Sequence, residues 1–302
     1  MTGPRTVWIA SYPKSGNTWV RAMLADLTSE AVEPDAGLND LLGGPIASSR
    51  EHIERMIGFP TGDLTRAELA LLRPVCDAAF DRMLDEVRFR KIHDALLAAP
   101  AGSPIVPPER TRGAVYVVRD PRDVAVSLAY HGGKDQEWAV AELGDPDAAI
   151  VRRPEAHYPQ MPQRLGTWSG HVREWTEHDL FPVVVVRYED LIADPLAELV
   201  RLVELAGLDP PRERLEAAVR STSFAALRER ERRRGFEERP ASGRPFFRRG
   251  EAGAWRDELE PALAARIERD HGEVMASLGY EAAASDAGVG ATARTSSRGS
   301  PS

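Results

Sequence analysis

The chain has 302 residues, 42% of them hydrophobic, with 39 Lys plus Arg against 47 Asp plus Glu. A formal charge of -8 excludes a general nucleic-acid binder, which needs a basic footprint, and no apolar run reaches the length of a membrane span. One cysteine, Cys76, leaves no intramolecular disulfide and no Cys-rich metal site, and the first residues lack the layout of a signal peptide. The expectation is a soluble cytoplasmic enzyme, built as one large α/β domain or two small ones, with no nucleic-acid partner and no membrane insertion.

The first element is a strand-like run, Val7-Trp8-Ile9-Ala10, followed by Ser11-Tyr12-Pro13-Lys14-Ser15-Gly16-Asn17-Thr18-Trp19 and a helical pattern. A strand that turns directly into a helix start presents unpaired backbone N–H groups and the positive end of the helix dipole to an oxyanion. Lys14 adds a point charge, Gly16 permits close backbone approach, and Ser15, Asn17 and Thr18 offer short polar contacts. The loop reads as a cradle for phosphate or sulfate. It is not a Walker A loop, because the two glycine positions of that pattern fall on Trp8 and Pro13.

Residues 33–88 read as a largely helical insertion, after which Phe89 to Ile92 forms the next strand. Lys91 and His93 alternate at its end, so their side chains share one face. A third strand, Ala114 to Val118, leads into Arg119-Asp120-Pro121-Arg122-Asp123-Val124-Ala125-Val126-Ser127. A helix starting near Pro121 puts Ser127 two turns in, with Arg119 on the preceding loop. That spacing lets both reach one phosphate. Residues 132–168, rich in Pro, Asp and Gly, read as a second insertion.

Pro182 to Val186 is the fourth strand and ends at Arg187-Tyr188-Glu189-Asp190. A helix capped by Asp194 and Pro195 then runs to a stop at Gly207. Further on come Ser221-Thr222-Ser223-Phe224 and a basic stretch, Arg228 to Arg249, with nine Arg against four Glu. It closes on Phe246-Phe247-Arg248-Arg249-Gly250-Glu251-Ala252-Gly253-Ala254-Trp255. Residues 282–302 are Ala, Ser, Gly and Thr with almost no large apolar side chains, and are expected to be a disordered tail. Strands alternating with helices argue for a mostly parallel sheet covered on both faces, with ligands at the carboxyl ends of the strands.

The loop at 12–19 resembles the 5′-phosphosulfate loop of the soluble sulfotransferases, Tyr-Pro-Lys-Ser-Gly-Thr-Thr-Trp, departing only at Asn17. Four further elements resemble that family in its order, from Val7 to about Tyr280. The resemblance implies a P-loop-like three-layer α/β fold, a single domain over 1–281, and insertions that form the acceptor side. It implies 3′-phosphoadenosine-5′-phosphosulfate (PAPS) as donor and no metal. His93 of Lys-x-His would be the general base, with Lys14 and Lys91 neutralising charge on the group in transfer. Ser15, Gly16, Asn17, Thr18 and Trp19 would hold the 5′ end of the nucleotide, and Arg119 and Ser127 its 3′-phosphate. Tyr188 would lie by the nucleotide, while Thr222 and Phe224 would hold the adenine. Arg248, Arg249 and Gly250 would close over the 3′-phosphate, with Arg249 in place of the family's Lys. Glu260-Pro261 replaces the Thr-Val of the family's short dimer motif, so dimerisation by that route is not expected.

The implied reaction is in-line transfer of a sulfonate to an acceptor hydroxyl. It requires neutral His93, which neighbouring cations favour and Asp94 opposes if it faces the ring. Rival readings are a P-loop-type small-molecule kinase and a non-catalytic nucleotide-binding module on the same fold. Phe59, Tyr130, Trp138, Tyr158 and Trp168 are candidates for a pocket taking a lipophilic alcohol, phenol or natural product, with His131 and His171 nearby. The sequence does not choose among acceptor classes or set the oligomeric state.

Overall fold

The computed structural model describes residues 3–29, 37–42, 46–151, 159–240 and 242–282. The strands are β1 (Thr6–Ala10), β2 (Arg88–Ile92), β3 (Thr111–Val118), β4 (Ala149–Ile150), β5 (Gln163–Arg164) and β6 (Val183–Arg187). Four of them form one sheet in the order β2-β1-β3-β6, every pair parallel, while β4 and β5 make a short antiparallel pair. All four strands expected from the apolar runs are present, each extended or shifted by one to three residues.

The helices are α1 (Asn17–Thr28), α2 (Leu38–Leu41), α3 (Arg50–Ile57), α4 (Arg66–Arg82), α5 (Pro121–Gly132), α6 (Gln136–Gly144) and α7 (Trp168–Thr176). They continue with α8 (Tyr188–Ala193), α9 (Pro195–Ala206), α10 (Arg212–Ser221), α11 (Phe224–Arg234), α12 (Trp255–Glu258) and α13 (Pro261–Ser277). Local chemistry sets the boundaries. Asp194 caps α9 by accepting from the Ala197 N–H, with Pro195 in the first turn and Gly207 closing it in the left-handed region. Asp120 does the same for α5 at the Arg122 N–H, so α5 begins at Pro121 as the sequence predicts.

Strand side chains alternate between two cores. Trp8, Ala10, Ala114, Tyr116 and Val118 pack with α5, α6, α7 and α13 on one face. Val7, Ile9, Val115 and Val117 pack with α1, α9 and α10 on the other. This is a helix–sheet–helix sandwich, and its parallel strands all end at one edge. The loops that follow β1, β2, β3 and β6 therefore gather there. Among the described residues, no helix is long and apolar enough to cross a membrane. The expected disordered tail lies outside the described residues from position 283 onward.

Candidate active site

The loop after β1 is shaped by two left-handed residues. Lys14 has φ 71°, uncommon for a residue with a Cβ, and Gly16 has φ 104° as it caps α1. A Cβ on Gly16 would stand 2.6 Å from Tyr188 Cδ2, so the Tyr188 ring fixes glycine there sterically as well. Asn17 ties the loop down: its amide donates to the Ile9 carbonyl at 2.9 Å and to Ser11 Oγ at 3.2 Å. Both of its amide hydrogens are thus committed to the protein, and the expectation that the Asn17 side chain serves an anion is corrected.

One cavity of about 900 Å3 lies over this edge of the sheet. Lys14, Gly16, Asn17, Thr18 and Trp19 line it from the first loop, Lys91 from β2 and His93 from just past its end, and Arg119 and Ser127 from the β3–α5 region. Tyr188, Phe224, Arg248, Arg249 and Gly250 complete the wall. Two of the expected residues do not reach it. Ser15 is fully buried, with its hydroxyl unpartnered. Thr222, at the end of α10, is fully buried, and its one hydroxyl hydrogen goes to the Ala218 carbonyl at 2.6 Å, so it does not line the cavity as a donor.

His93 is set by its backbone neighbours. Its Nδ1 lies 2.9 Å from the Ser11 carbonyl, which can only accept, so Nδ1 carries the hydrogen and Nε2 keeps its lone pair. Burial pushes its pKa down from 6.5 to about 3, with repulsion from Lys91 second, so the ring is neutral near pH 7. Asp94 does not face the ring: it is buried in a two-point ion pair with Arg73, at 2.8 and 2.6 Å. His171 is fully buried and lies beneath His93, not in the cavity, with Nε2 3.0 Å from the His93 carbonyl and Nδ1 2.8 Å from the Tyr116 hydroxyl. His131 does line the cavity, with Nδ1 3.2 Å from Lys14 Nζ. Burial, reinforced by Lys14, lowers its pKa to about 4, so it accepts from the lysine.

Lys14 Nζ also sits over the Phe246 ring, 4.1 Å from its centroid. Burial is the largest influence on this amine and lowers its pKa to about 7, with Glu238 opposing and Lys91 and Arg119 reinforcing the fall. Lys91 is lowered by burial in the same way, again opposed by Glu238. Glu238 was not found by sequence reasoning. Its carboxylate takes the Lys91 ammonium at 2.9 Å, the Arg21 guanidinium at 2.8 Å and the Thr18 hydroxyl at 3.3 Å. Burial alone would raise its pKa, but Lys91 and Arg21 outweigh that and hold it well below the usual carboxylate range.

At the other end, the Arg119 guanidinium lies 4.4 Å over the Tyr188 ring and donates to the Glu251 carbonyl at 2.8 Å. Arg248 and Arg249 share Glu258, each with a contact of 2.7 Å, and Arg249 also holds Glu251 at 2.9 Å. The basic pair is charge-compensated in this state. Gly250, φ 69°, passes so close to Phe224 that a Cβ would stand 2.3 Å from its ring. Asp123, between Arg119 and Ser127 in sequence, accepts the Gly253 and Trp255 N–H groups at 2.7 and 2.9 Å, fastening this loop to α5.

Of the aromatics named for the acceptor side, Trp138 lines the cavity. Phe59, half exposed, and Trp168, fully buried in the core, do not line it, nor does Tyr130, whose hydroxyl donates to the Pro245 carbonyl. Tyr158 lies outside the described residues. Ile46, Leu128, Ile150 and Leu165 supply the apolar part of the wall.

A family model described as "Sulfotransferase domain" matches residues 4–279. Cytosolic sulfotransferase 16 of Arabidopsis thaliana is 28% identical over 280 residues, covering 88% of this chain and 74% of that protein. Sulfotransferase 1A1 of Canis lupus familiaris is 25% identical over 282 residues, covering 91% and 85%. Among solved structures, mouse sulfotransferase SULT7A1 complexed with PAP superposes with a TM-score of 0.57 at 19% identity, covering 90% of this chain and 84% of that one. Retinol dehydratase complexed with retinol and PAP gives 0.57 at 23%, covering 91% and 82%. These structures share the fold, and the family match spans nearly the whole described chain: the protein belongs to the sulfotransferase family.

Proposed function

We propose that this sulfotransferase moves a sulfonate from PAPS to the hydroxyl of a small acceptor, with His93 as general base. The observation that carries the reading is that Lys14, Lys91, His93 and the Arg119–Ser127 pair line a single cavity. The residues fit a doubly phosphorylated nucleotide. Lys91, Arg21 and Thr18 already hold one oxyanion, the Glu238 carboxylate, and Trp19, which lines the same cavity, has a buried Nε1 without a partner.

The bound donor supplies an activated sulfonate on a phosphate leaving group. The chain's own part is positioning and charge, as in phosphoryl transfer. The Ser11 carbonyl fixes the His93 tautomer, so that Nε2 takes the acceptor proton. Lys14 places its amine at the departing oxygen, and Lys91 faces the oxygens of the group in flight. Arg119 and Ser127 grip the 3′-phosphate, with Tyr188 and Phe224 beside the nucleoside and the Arg248–Gly250 loop closing over it. We infer displacement in line, without a metal. The apolar wall of Trp138, Leu128 and Ile150 suits a lipophilic acceptor. Retinol dehydratase, which shares the fold, is solved in complex with retinol and with androsterone, which supports a small-molecule class. Relatives named cytosolic support a cytosolic enzyme.

Transfer from labelled PAPS to a panel of phenols, lipophilic alcohols and sugars, with chelator present, tests this directly. Activity is expected without metal and none from ATP with magnesium. Transfer from ATP alone would establish the kinase reading. Binding of PAP with no turnover across the panel would make the chain a non-catalytic module.

A further inference from the structure

We propose that Glu238 is a built-in competitor for the anion end of the donor site: its carboxylate sits on the groups that the donor must engage and leaves them when the donor binds. The inference rests on the proposed donor reading and concerns how that same site is regulated. One carboxylate bridges from Thr18 on the anion loop to Lys91 on β2, with Arg21 on its flank. A phosphosulfate reaching from the loop toward His93 has to cover the same ground. Two oxyanions cannot share it, because like charges at contact distance in a partly buried site repel strongly.

The surroundings let the side chain leave without the backbone. Glu238 follows the end of α11 in a stretch without helix or strand, and its side chain keeps 29% of its surface exposed. Its neighbours are anchored elsewhere. The Glu237 N–H donates to Asn39 Oδ1 at 3.0 Å, and the Arg239 guanidinium donates to Glu231 at 2.6 Å. Rotation about the Glu238 side-chain bonds is therefore enough to clear the site, and Arg21, freed of its partner, is left facing the incoming anion. The carboxylate opposes the fall that burial imposes on the Lys91 amine, so the contact gives a buried cation its ion-pair partner. The donor pays for displacing it, so the contact sets a threshold: a singly charged anion competes poorly, a phosphosulfate well.

The test compares Glu238→Gln with Glu237→Gln, a neighbour that also lines the cavity and removes the same charge but does not hold Arg21 or Lys91. Calorimetry with PAP and, separately, with inorganic sulfate reads the affinity of each. Glu238→Gln is expected to tighten both by about tenfold or more, and Glu237→Gln by less than about twofold, since it changes the cavity's charge without freeing Lys91 or Arg21. Glu238→Asp, which keeps the charge and shortens the reach, should fall between Gln and wild type, and serves if the Gln variant does not fold. Weaker binding of PAP by Glu238→Gln, or equal effects at 237 and 238, would overturn the competitor and make Glu238 a positioning residue for Lys91. If wild type binds sulfate and not PAP while Glu238→Gln still tightens sulfate, the donor reading fails and the competitor stands.

Discussion

His93 Nδ1 lies 2.9 Å from the Ser11 carbonyl, so the strand end that opens the anion loop also sets the tautomer of the candidate base. The same ring is pushed down to about pKa 3 by burial and by Lys91. Its proton-accepting form is therefore full at any pH above about 4, although each proton transfer to it is less favourable than to an ordinary imidazole. On the proposed reaction, His93→Ala lowers kcat by about 10²–10⁴-fold and leaves PAP affinity within a few-fold of wild type. The kcat/KM profile should show no acid limb near pH 6.5. Equal loss of binding and turnover would make His93 a structural residue.

Lys14 gives donor binding its own pH dependence. Its pKa, lowered by burial to about 7, is depressed below the usual lysine value, so the amine loses its charge as pH rises through 7. An anion binds the charged form, so PAP affinity is greatest below pH 7 and falls above it, toward a limiting slope of about tenfold per pH unit. Lys14→Arg, which stays charged, should flatten this dependence, and Lys14→Ala should lose both affinity and rate. Calorimetry between pH 6 and 9 in buffers of different ionisation heat reads the proton uptake directly. A wild-type affinity that does not change across that range would remove Lys14 from contact with the phosphate.

The strands and the loop at 12–19 were legible because each depends on residues close in sequence: valine runs for β3 and β6, Pro121 and Asp120 for the start of α5. The alternation of Lys91 and His93 was legible for the same reason. What the sequence hid is partnership at long range. Nothing local marks Glu238 as the partner of Arg21 and Lys91, more than 140 residues away from both. Arg248 and Arg249 read as free cations until Glu258, on the following helix, is seen to neutralise both. Thr222 was misplaced because a serine or threonine at the end of a helix is equally able to turn its hydroxyl back to the preceding turn, as it does toward Ala218. Trp168 and Trp138 look alike in composition, and only packing sends the first to the core and the second to the cavity.

Asp123 links the two ends of the proposed 3′-phosphate grip. Its carboxylate accepts the Gly253 and Trp255 N–H groups, and Arg119 Nη2 lies 3.6 Å away. The Trp255 ring is held in turn by the Arg122 guanidinium, 3.9 Å from its centroid. Asp123→Asn places an NH2 where an N–H now donates, so one of the two clamps is lost and a buried donor is left unpaired, at a cost of about 1–3 kcal/mol in stability. The larger consequence concerns the loop that carries Arg248, Arg249 and Gly250, which loses its fastening to α5. PAP binding should weaken by about tenfold or more, while kcat at saturating donor stays within a few-fold of wild type, because neither Lys14 nor His93 touches this carboxylate. Thermal unfolding with and without PAP measures both effects in one experiment. A variant that is less stable but keeps its full PAP-induced shift would show that the loop serves the fold alone.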